Sequence, residues 1–280
     1  MTRHQPADGP ESGCRAVFHA DDFGETEEIT RGIIRAIEGG ILKSTTILAN
    51  MPASELGVTK AGELAEQASF GVHINLCEGR PLTSGASLVD ETGRFWTKRV
   101  VARKALTGSL NTDELRREVE AQVEFVASRG IAVSHLDGHK HLHMLPGVRE
   151  AVIEAARRFG IERVRVMAEG AKRVLSAPRR AVREMVASQA RPQFAAAALR
   201  SPDRIRDLAD FLGGPPERLA VELGGLSGLT EVVCHPGTAT ADEEKPGSCD
   251  RARELEYVTQ PALERALARQ GVEIVSYWEV

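Results

Sequence analysis

The sequence predicts an α/β fold in which parallel strands alternate with helices. Short apolar runs recur along the chain, and segments with a helical apolar period follow several of them. Many such units in 280 residues favour a barrel or barrel-like sheet, complete or incomplete. A doubly wound open sheet is the alternative, but the chain lacks the Gly-x-Gly-x-x-Gly pattern of dinucleotide-binding members of that class.

The first part of the chain supplies three predicted strands and two helices. The first strand, Ala16–Phe18, runs into two aspartates. A helix over 25–38 follows, with Ile29, Ile33 and Ile37 on one face and two glycines as its stop. The remaining elements are a strand over 44–49, a weaker helix over 54–67 and a strand over 70–76.

The second part begins with a stretch over 78–104 that is rich in Gly, Thr, Ser and Pro and predicts a long functional loop. Asn111 and Glu114 then predict a paired N-cap for a helix over 112–128. The later predicted elements are a strand over 131–136, a helix over 147–159 ending at Gly160, a strand over 161–166, a basic helical region over 171–212 broken by Pro178, Pro192 and Pro202, a strand over 230–234, a helix over 254–269 and a strand over 272–277.

Composition excludes several classes of protein. A net charge of -4 gives no attraction to nucleic acid, and no apolar run approaches the length of a membrane span. The four cysteines form no Cys-x-x-Cys pair, so we expect free thiols in a reducing compartment, the cytoplasm. Residues 1–14 are predicted to be a flexible tail without the features of a signal peptide, and residues 15–280 a single domain.

Acidic and imidazole side chains fall at the ends of four predicted strands. The first strand ends in Asp21-Asp22, the third carries His73, the fourth runs into the segment 135–139, and the strand near the end of the chain runs into His235. Because the carboxyl ends of parallel strands form one edge of the sheet, where sites are built, we expect a shared active site there.

The residue types predict a catalytic divalent metal site. Two histidines and one carboxylate leave a coordination position open for water, and Asp22, His73 and His139 are the candidate ligands. Asp21 is the candidate base that takes a proton from the attacking water. Adjacent residues of a regular strand face opposite ways, so this assignment requires the chain to turn at Asp21-Asp22.

Each of the other polar residues allows more than one interpretation. In the dense segment 135–143 we expect one metal ligand, with the remaining histidines orienting it or contacting substrate, and His143 is the weak substrate candidate. His235 is either an acid or a structural histidine. Arg165 pairs with Asp21, holds substrate or is a surface charge. Trp96 either stacks on a sugar ring or packs the long loop. The basic run at 172–183 predicts a solvated helix face, without the aromatic residues typical of nucleic-acid stacking.

Five motifs resemble those of the YdjC-like carbohydrate deacetylases. They are Ala20-Asp21-Asp22-Phe23-Gly24, Ser44-Thr45-Thr46, Gly71-Val72-His73, His135 to His143 and Cys234-His235-Pro236-Gly237. Their order matches the family from about residue 15 to the end of the chain. The segment 171–230 and the N-terminal tail have no counterpart that we can match.

The resemblance implies an irregular (β/α) TIM-like barrel related to polysaccharide deacetylases. It implies that Asp22, His73 and His139 bind the metal, that Asp21 is the base and that His235 is an acid. The reaction would remove an acetyl group from an N-acetylated amino sugar or oligosaccharide. Magnesium and zinc are the metals that the family implies, and the imidazole ligands favour zinc.

Two rival functions remain open at this stage. A barrel metallo-phosphoesterase would need anion-binding groups near the site, and Arg165 and Lys140 are the obvious ones. A non-catalytic sugar-binding protein of the same fold is the other rival, and the intact Asp and His set argues against it. A homodimer is common among such barrels and is the assembly that we expect.

Overall fold

The strands agree in place with most of the predicted ones. The computed structural model describes residues 13–168, 178–238 and 250–280. Within these ranges the strands are β1 (Cys14–Phe23), β2 (Ser44–Ile47), β3 (Ser69–Ile74), β4 (Val133–Gly138), β5 (Arg204–Asp207), β6 (Gly228–Cys234) and β7 (Glu273–Ile274).

The α-helices surround the strands. They are α1 (Glu27–Gly39), α2 (Ser54–Glu63), α3 (Lys98–Leu106), α4 (Thr112–Ala127), α5 (Val148–Phe159), α6 (Pro178–Ala196), α7 (Pro216–Gly224), α8 (Arg251–Thr259) and α9 (Pro261–Arg269). Short 3-10 helices lie at His139–Met144, Leu208–Asp210 and Tyr277–Glu279. No described helix is both long and apolar enough to cross a bilayer.

The strands form a parallel sheet that closes into an irregular barrel. Their order is β4-β3-β2-β1-β6-β5, and β7 pairs with the start of β1. Residues 161–168 fill the gap between β4 and β5. Arg165 N donates to Leu136 O on β4 (3.0 Å), and Ile205 N on β5 donates to Ala168 O (2.8 Å). The predicted strand over 161–166 is therefore reduced to isolated bridges, but it occupies a strand position, and the predicted TIM-like barrel is confirmed.

The barrel interior changes from apolar to polar along its length. Side chains alternate along a strand with a period of two, so Val17, His19 and Asp21 of β1 follow one another up the inner face. Val17 packs with Leu229 and Tyr277 at the amino ends of the strands. Asp21 lies at the other end, where the strands finish. The inner face of β1 thus changes from the apolar Val17 to the polar His19 and Asp21 toward the carboxyl end of the strand.

Two helix boundaries agree with the prediction, and at both the capping residue acts on its immediate neighbours in the sequence. Asn111 Oδ1 accepts hydrogen bonds from the backbone N–H groups of Asp113 (3.0 Å) and Glu114 (3.1 Å), which confirms the predicted N-cap. The predicted return contact, from the Glu114 side chain to the backbone of the cap residue, is wrong. The Glu114 carboxylate instead accepts a hydrogen bond from Ser87 N (2.8 Å) in the preceding loop. Gly160 ends α5 in the left-handed conformation, as predicted.

Several predicted boundaries are wrong. The region over 171–212, predicted to be helical, contains the strand β5. Two other errors lie at prolines. Pro192 lies inside α6 without breaking it, because Ala187, Ala190 and Phe194 pack the helix on the core on either side of it. The helix predicted over 254–269 is two helices, since Pro261 starts α9 at a position that needs no N–H. The end of the loop predicted over 78–104 is helical as α3.

Some predicted features lie outside the described residues. Residues 1–12 of the predicted tail, Lys172, Arg173 and Cys249 belong to them. Cys14, placed in the tail, is the first residue of β1. Cys14, Cys77 and Cys234 are free and buried, as expected. The single domain over 15–280 and the cytoplasmic location stay predictions.

Candidate metal centre and active site

The end of β1 brings two adjacent carboxylates into one site. The pairing of β1 with β2 shifts register between Ala20 and Phe23, and Asp22 has a φ of 72°. A positive φ is uncommon outside glycine, although Asp tolerates it better than most residues, and such strain is concentrated at functional sites. Both carboxylates are buried, 3% exposed each. The turn that the sequence analysis required at Asp21-Asp22 is therefore present.

Asp22, His73 and His139, which we call the metal triad, lie together at the carboxyl ends of β1, β3 and β4. Asp22 Oδ1 is 3.5 Å from His73 Nε2 and 3.1 Å from His139 Nδ1. One donor atom from each residue lies within 4.8 Å of the others. One carboxylate oxygen and two imidazole nitrogens form a suitable donor set for a divalent metal with open positions, so these residues fit the predicted ion.

Asp137 orients one member of the metal triad. Its Oδ1 is 2.7 Å from His73 Nδ1, which leaves His73 Nε2 directed at Asp22. Metal-binding histidines usually have such a partner on the second ring nitrogen. The sequence analysis assigned no role to Asp137. Its place two residues before His139, on the same strand face as His135, was the available signal.

The triad holds a proton that a metal must displace. Burial lowers the pKa of His139, but the hydrogen bond to Asp22 and its charge outweigh burial and raise the pKa to about 9. Burial would raise the pKa of Asp22, but the bond and charge of His139, with Arg251 and His73, hold it well below its usual range. The two residues therefore form an ion pair at neutral pH when no metal is bound.

We expect divalent metal binding to release a proton and to weaken as the pH falls. His139 must lose its proton to become a ligand, so below about pH 9 apparent affinity should fall by up to about tenfold per pH unit. Calorimetric titration with Zn²⁺ near neutral pH, in two buffers of different ionisation enthalpy, measures the protons released. A His139→Gln variant should bind more weakly and release none. Proton-neutral binding by the unaltered chain would contradict this interpretation.

Arg165 lies beneath the triad and is surrounded by Asp21, Asp137 and Glu231; we call these four residues the Arg165 cluster. Its Nη1 and Nη2 donate to the two oxygens of Asp21 (2.9 and 2.7 Å), and Nη1 also contacts Asp137 Oδ2 (2.8 Å). Nε donates to Glu231 Oε1 (2.8 Å). Burial alone would lower the pKa of Arg165, but the three carboxylates raise it, so the guanidinium stays charged.

The Arg165 cluster fixes the candidate base. A bidentate pair with a guanidinium holds a carboxylate in one orientation. Arg165 itself is fully buried. Of the three interpretations of this residue, pairing with Asp21 is the one that the structure shows.

His235 reaches the site from the end of β6. Its Nε2 is 3.8 Å from Asp21 Oδ2, and its side chain is 21% exposed, more than that of any member of the triad. Its backbone N–H donates to the buried carboxylate of Glu254 (2.5 Å). The following Gly237 lies so close to Gly32 of α1 that a side chain at Gly32 would collide with its backbone. The loop that carries His235 is thus held from two sides.

Arg251, at the start of α8, is a site residue that the sequence analysis missed. Its Nη2 donates to Asp22 Oδ2 (2.8 Å) and to Glu25 Oε2 (3.1 Å), while Nη1 donates to His235 O (3.5 Å). It therefore connects the second oxygen of a triad member to the loop of the candidate acid. Nothing in the local sequence distinguishes it from a surface arginine.

Three further histidines are buried around the triad. His143 Nε2 is 2.9 Å from the carbonyl oxygen of Arg165, and burial lowers the pKa of His143 to about 4. Burial likewise lowers the pKa of His135, to about 3, and its ring stacks on Tyr277. His19 of β1 has its Nε2 3.5 Å from Asp21 Oδ1. These rings are neutral at physiological pH and have no solvent-exposed face.

Glu78 and Lys140 are charged residues beside His139, and we call them the mouth of the site. Glu78 Oε2 is 3.5 Å from His139 Nε2, and the other oxygen of Glu78 forms an ion pair with Lys140. Lys140 and His141 both have positive φ angles, 53° and 64°. These two residues follow His139 directly, so the strain lies next to a member of the triad.

Trp96 belongs to the packed loop before α3. Its Nε1 donates to Ser87 O (3.2 Å), and the Lys104 ammonium lies 5.3 Å from the ring centroid. The indole is half-buried against the core. The contacts that the structure shows are those expected for packing the loop.

Comparisons with known proteins cover nearly the whole chain. The model of a family described as YdjC-like protein matches residues 15–269. A carbohydrate deacetylase of Homo sapiens is 33% identical over an alignment of 291 positions, which covers 93% of this chain and 89% of the relative. A carbohydrate deacetylase of Geobacillus stearothermophilus is 32% identical and covers 94% of this chain and 96% of its own.

A solved structure supports the fold. A candidate cellobiose-phosphate cleavage protein from Enterococcus faecalis V583 superposes with a TM-score of 0.77, at 24% identity, over 96% of this chain and 99% of its own. At that identity the similarity concerns the fold alone. It agrees with the barrel described above.

Proposed function

Because the chain belongs to the YdjC-like family, we propose that it is a metal-dependent carbohydrate deacetylase that hydrolyses the acetamide of an N-acetylated amino sugar. The names of the relatives support a hydrolase acting on amide bonds. The observation that carries the metal-dependent mechanism is the metal triad at the end of β1, with the carboxylate of Asp21 beside it.

The proposed chemistry divides the work among three metal ligands, a base and an acid. Asp22, His73 and His139 would hold one divalent ion, which when bound supplies Lewis-acid polarisation of the acetyl carbonyl. Asp21, fixed by Arg165, takes a proton from the water that attacks this carbonyl. His235 then donates a proton to the departing amine, and its partial exposure beside Asp21 suits that task. The products are acetate and the free amino sugar.

Zinc is the metal that we propose first. Imidazole nitrogens favour zinc or a similar transition metal, whereas magnesium prefers a shell of oxygens. Two of the three triad donors are nitrogens. Magnesium remains the alternative that the family resemblance implies.

The substrate contacts proposed from the sequence need revision. Arg165 and His143 are fully buried, so we assign them positioning roles beneath the site in place of contacts with the sugar. Trp96 keeps a weak assignment as a stacking residue, because its ring is half-buried and already contacts Lys104. Glu78 and Lys140 at the mouth are better placed to meet a sugar hydroxyl.

The phosphoesterase alternative loses its two anion-binding candidates. Arg165 is surrounded by three carboxylates, and Lys140 is paired with Glu78. A phosphate would have to displace one of these carboxylates from its partner. The non-catalytic alternative offers no reason for a buried carboxylate to lie beside an intact triad. A homodimer stays a prediction.

We expect the zinc-loaded protein to release acetate from N-acetylglucosamine oligomers and not to release phosphate from sugar phosphates. An enzyme-coupled acetate assay across oligomer lengths, run beside a phosphate assay on the same preparation, separates the two functions. Metal-depleted protein is the control, and restored metal should restore the activity. Phosphate release without acetate release would overturn the proposal.

A further inference from the structure

The C-terminal segment closes the barrel at the end opposite the metal triad. β7 pairs with Arg15 and Ala16 at the start of β1, and Tyr277 N donates to Ser69 Oγ (3.1 Å) at the start of β3. Tyr277 is fully buried. Its side chain therefore enters the interior from the amino ends of the strands.

Inside the barrel, the Tyr277 side chain contacts polar groups as well as the apolar Val17. The ring stacks on His135, with centroids 3.5 Å apart and planes 2° apart, and it meets the edge of His19. Its hydroxyl donates to Glu231 Oε2 (2.8 Å). Burial, together with the charge of Glu231, raises the pKa of Tyr277 well above its usual value, so the hydroxyl remains a donor.

Glu231 connects this tyrosine to the site. Its Oε2 accepts from Tyr277, while its Oε1 lies 2.8 Å from Arg165 Nε and 2.7 Å from Nη2. The same guanidinium holds Asp21 and also contacts Asp137, the partner of His73. An unbroken series of polar contacts thus runs from the C-terminal segment to the candidate base and to the metal triad.

The three carboxylates of the Arg165 cluster share the five N–H groups of one guanidinium. The Tyr277 hydroxyl gives Glu231 a second donor and fixes its orientation, so the Nε side of Arg165 is held while the other side faces Asp21. Without this donor, a fully buried carboxylate oxygen loses its partner, and buried polar groups without partners are costly. The carboxylate would then rotate, and Arg165 would follow it away from Asp21.

We propose that Tyr277 and Glu231 are positioning residues for Arg165, and through Arg165 for the catalytic carboxylate of Asp21. The inference rests on the proposed function for the role of Asp21. The contacts that carry it do not depend on the substrate. Neither residue belongs to the motifs singled out by the sequence, since Glu231 lies three positions before Cys234 and Tyr277 lies 40 positions after Gly237.

A Tyr277→Phe variant removes the hydroxyl and keeps the stacked ring. We expect kcat for acetate release to fall about tenfold, with KM and the number of bound metal ions unchanged, because a lost hydrogen bond to a charged group is worth at least that factor. Tyr257→Phe is the matched control, since the buried Tyr257 hydroxyl has no hydrogen-bond partner among the described residues. A kcat equal to that of the control would overturn the inference.

A double-mutant cycle separates positioning from general destabilisation. If Tyr277 acts through Glu231, then Tyr277→Phe should cost less than about twofold in kcat when Glu231→Gln is already present. Equal losses in both backgrounds would show that the hydroxyl acts independently of Glu231, and would overturn the proposed route. Unfolding temperatures of all four proteins show whether the comparison is made between folded chains.

A measurement without substrate keeps the test independent of the proposed function. In the metal-free protein, the Arg165 Nε–H is buried against Glu231, so its exchange with water in ¹⁵N spectra should be slow. Tyr277→Phe should accelerate this exchange about tenfold, and Tyr257→Phe should not. Unchanged exchange contradicts the inference even if acetate release is absent, whereas absence of acetate release from the unaltered protein contradicts only the proposed function.

Discussion

Replacing Asp21 by asparagine is expected to lower kcat for acetate release by roughly a thousandfold, within the range for loss of a general base. The amide keeps the size of the carboxylate and can still accept one hydrogen bond from Arg165, but it cannot take a proton from water. Since Asp21 is not a member of the metal triad, bound zinc should remain stoichiometric. Steady-state kinetics and elemental analysis of the same sample measure both quantities.

The matched control is Asp113→Asn on the exposed first turn of α4, where the aspartate only pairs with Arg116. This variant should retain full activity. A kcat for Asp21→Asn within about tenfold of the control would assign the base to another residue. Loss of the metal in Asp21→Asn would instead move Asp21 into the ligand set.

The second large effect is expected from removing both imidazoles of the metal triad. A His73→Ala and His139→Ala double variant keeps only the carboxylate of Asp22, so its zinc affinity should fall by at least about a hundredfold. Acetate release should be lost with the metal. Calorimetric titration gives the affinity, and the acetate assay gives the activity.

His235→Ala provides the contrast. His235 lies beside Asp21 and outside the metal triad, so this variant should bind zinc normally and lose activity only through the missing acid. Stoichiometric zinc at unchanged affinity in the double variant would show that the ion is held elsewhere. Equal loss of zinc in His235→Ala would show that His235 belongs to the ligand set.

The sequence could predict the features that depend on neighbouring residues or on strand order. Asn111 caps its helix through N–H groups two and three residues away, and Gly160 ends a helix through its own φ. The proximity of the three residues of the metal triad could also be predicted, because parallel strands bring their carboxyl ends to one edge of the sheet whatever their detailed register. The family and the fold class predicted from these motifs are confirmed.

The remaining features depend on tertiary contacts. β5 has the sequence Arg-Ile-Arg-Asp and lies in the region predicted to be helical, yet its backbone pairs with β6 and extends the sheet. Arg251 and Tyr277 are 229 and 256 positions from the residues Asp22 and Asp21 that they serve, so no local pattern connects them. Only the closure of the barrel brings such residues together.

The isolated bridges of residues 161–168 have a consequence for the protein's cooperativity. This segment, which we call the seam, is joined to β4 by two backbone hydrogen bonds, from Leu136 N to Arg163 O and from Arg165 N to Leu136 O, and Arg165 lies in its middle. The ion pairs of Arg165 with strands β1, β4 and β6 hold the seam closed. Opening of the seam would withdraw the guanidinium from Asp21 and Asp137 together. We therefore expect closure of the barrel and orientation of Asp21 to be coupled, because the same guanidinium takes part in both.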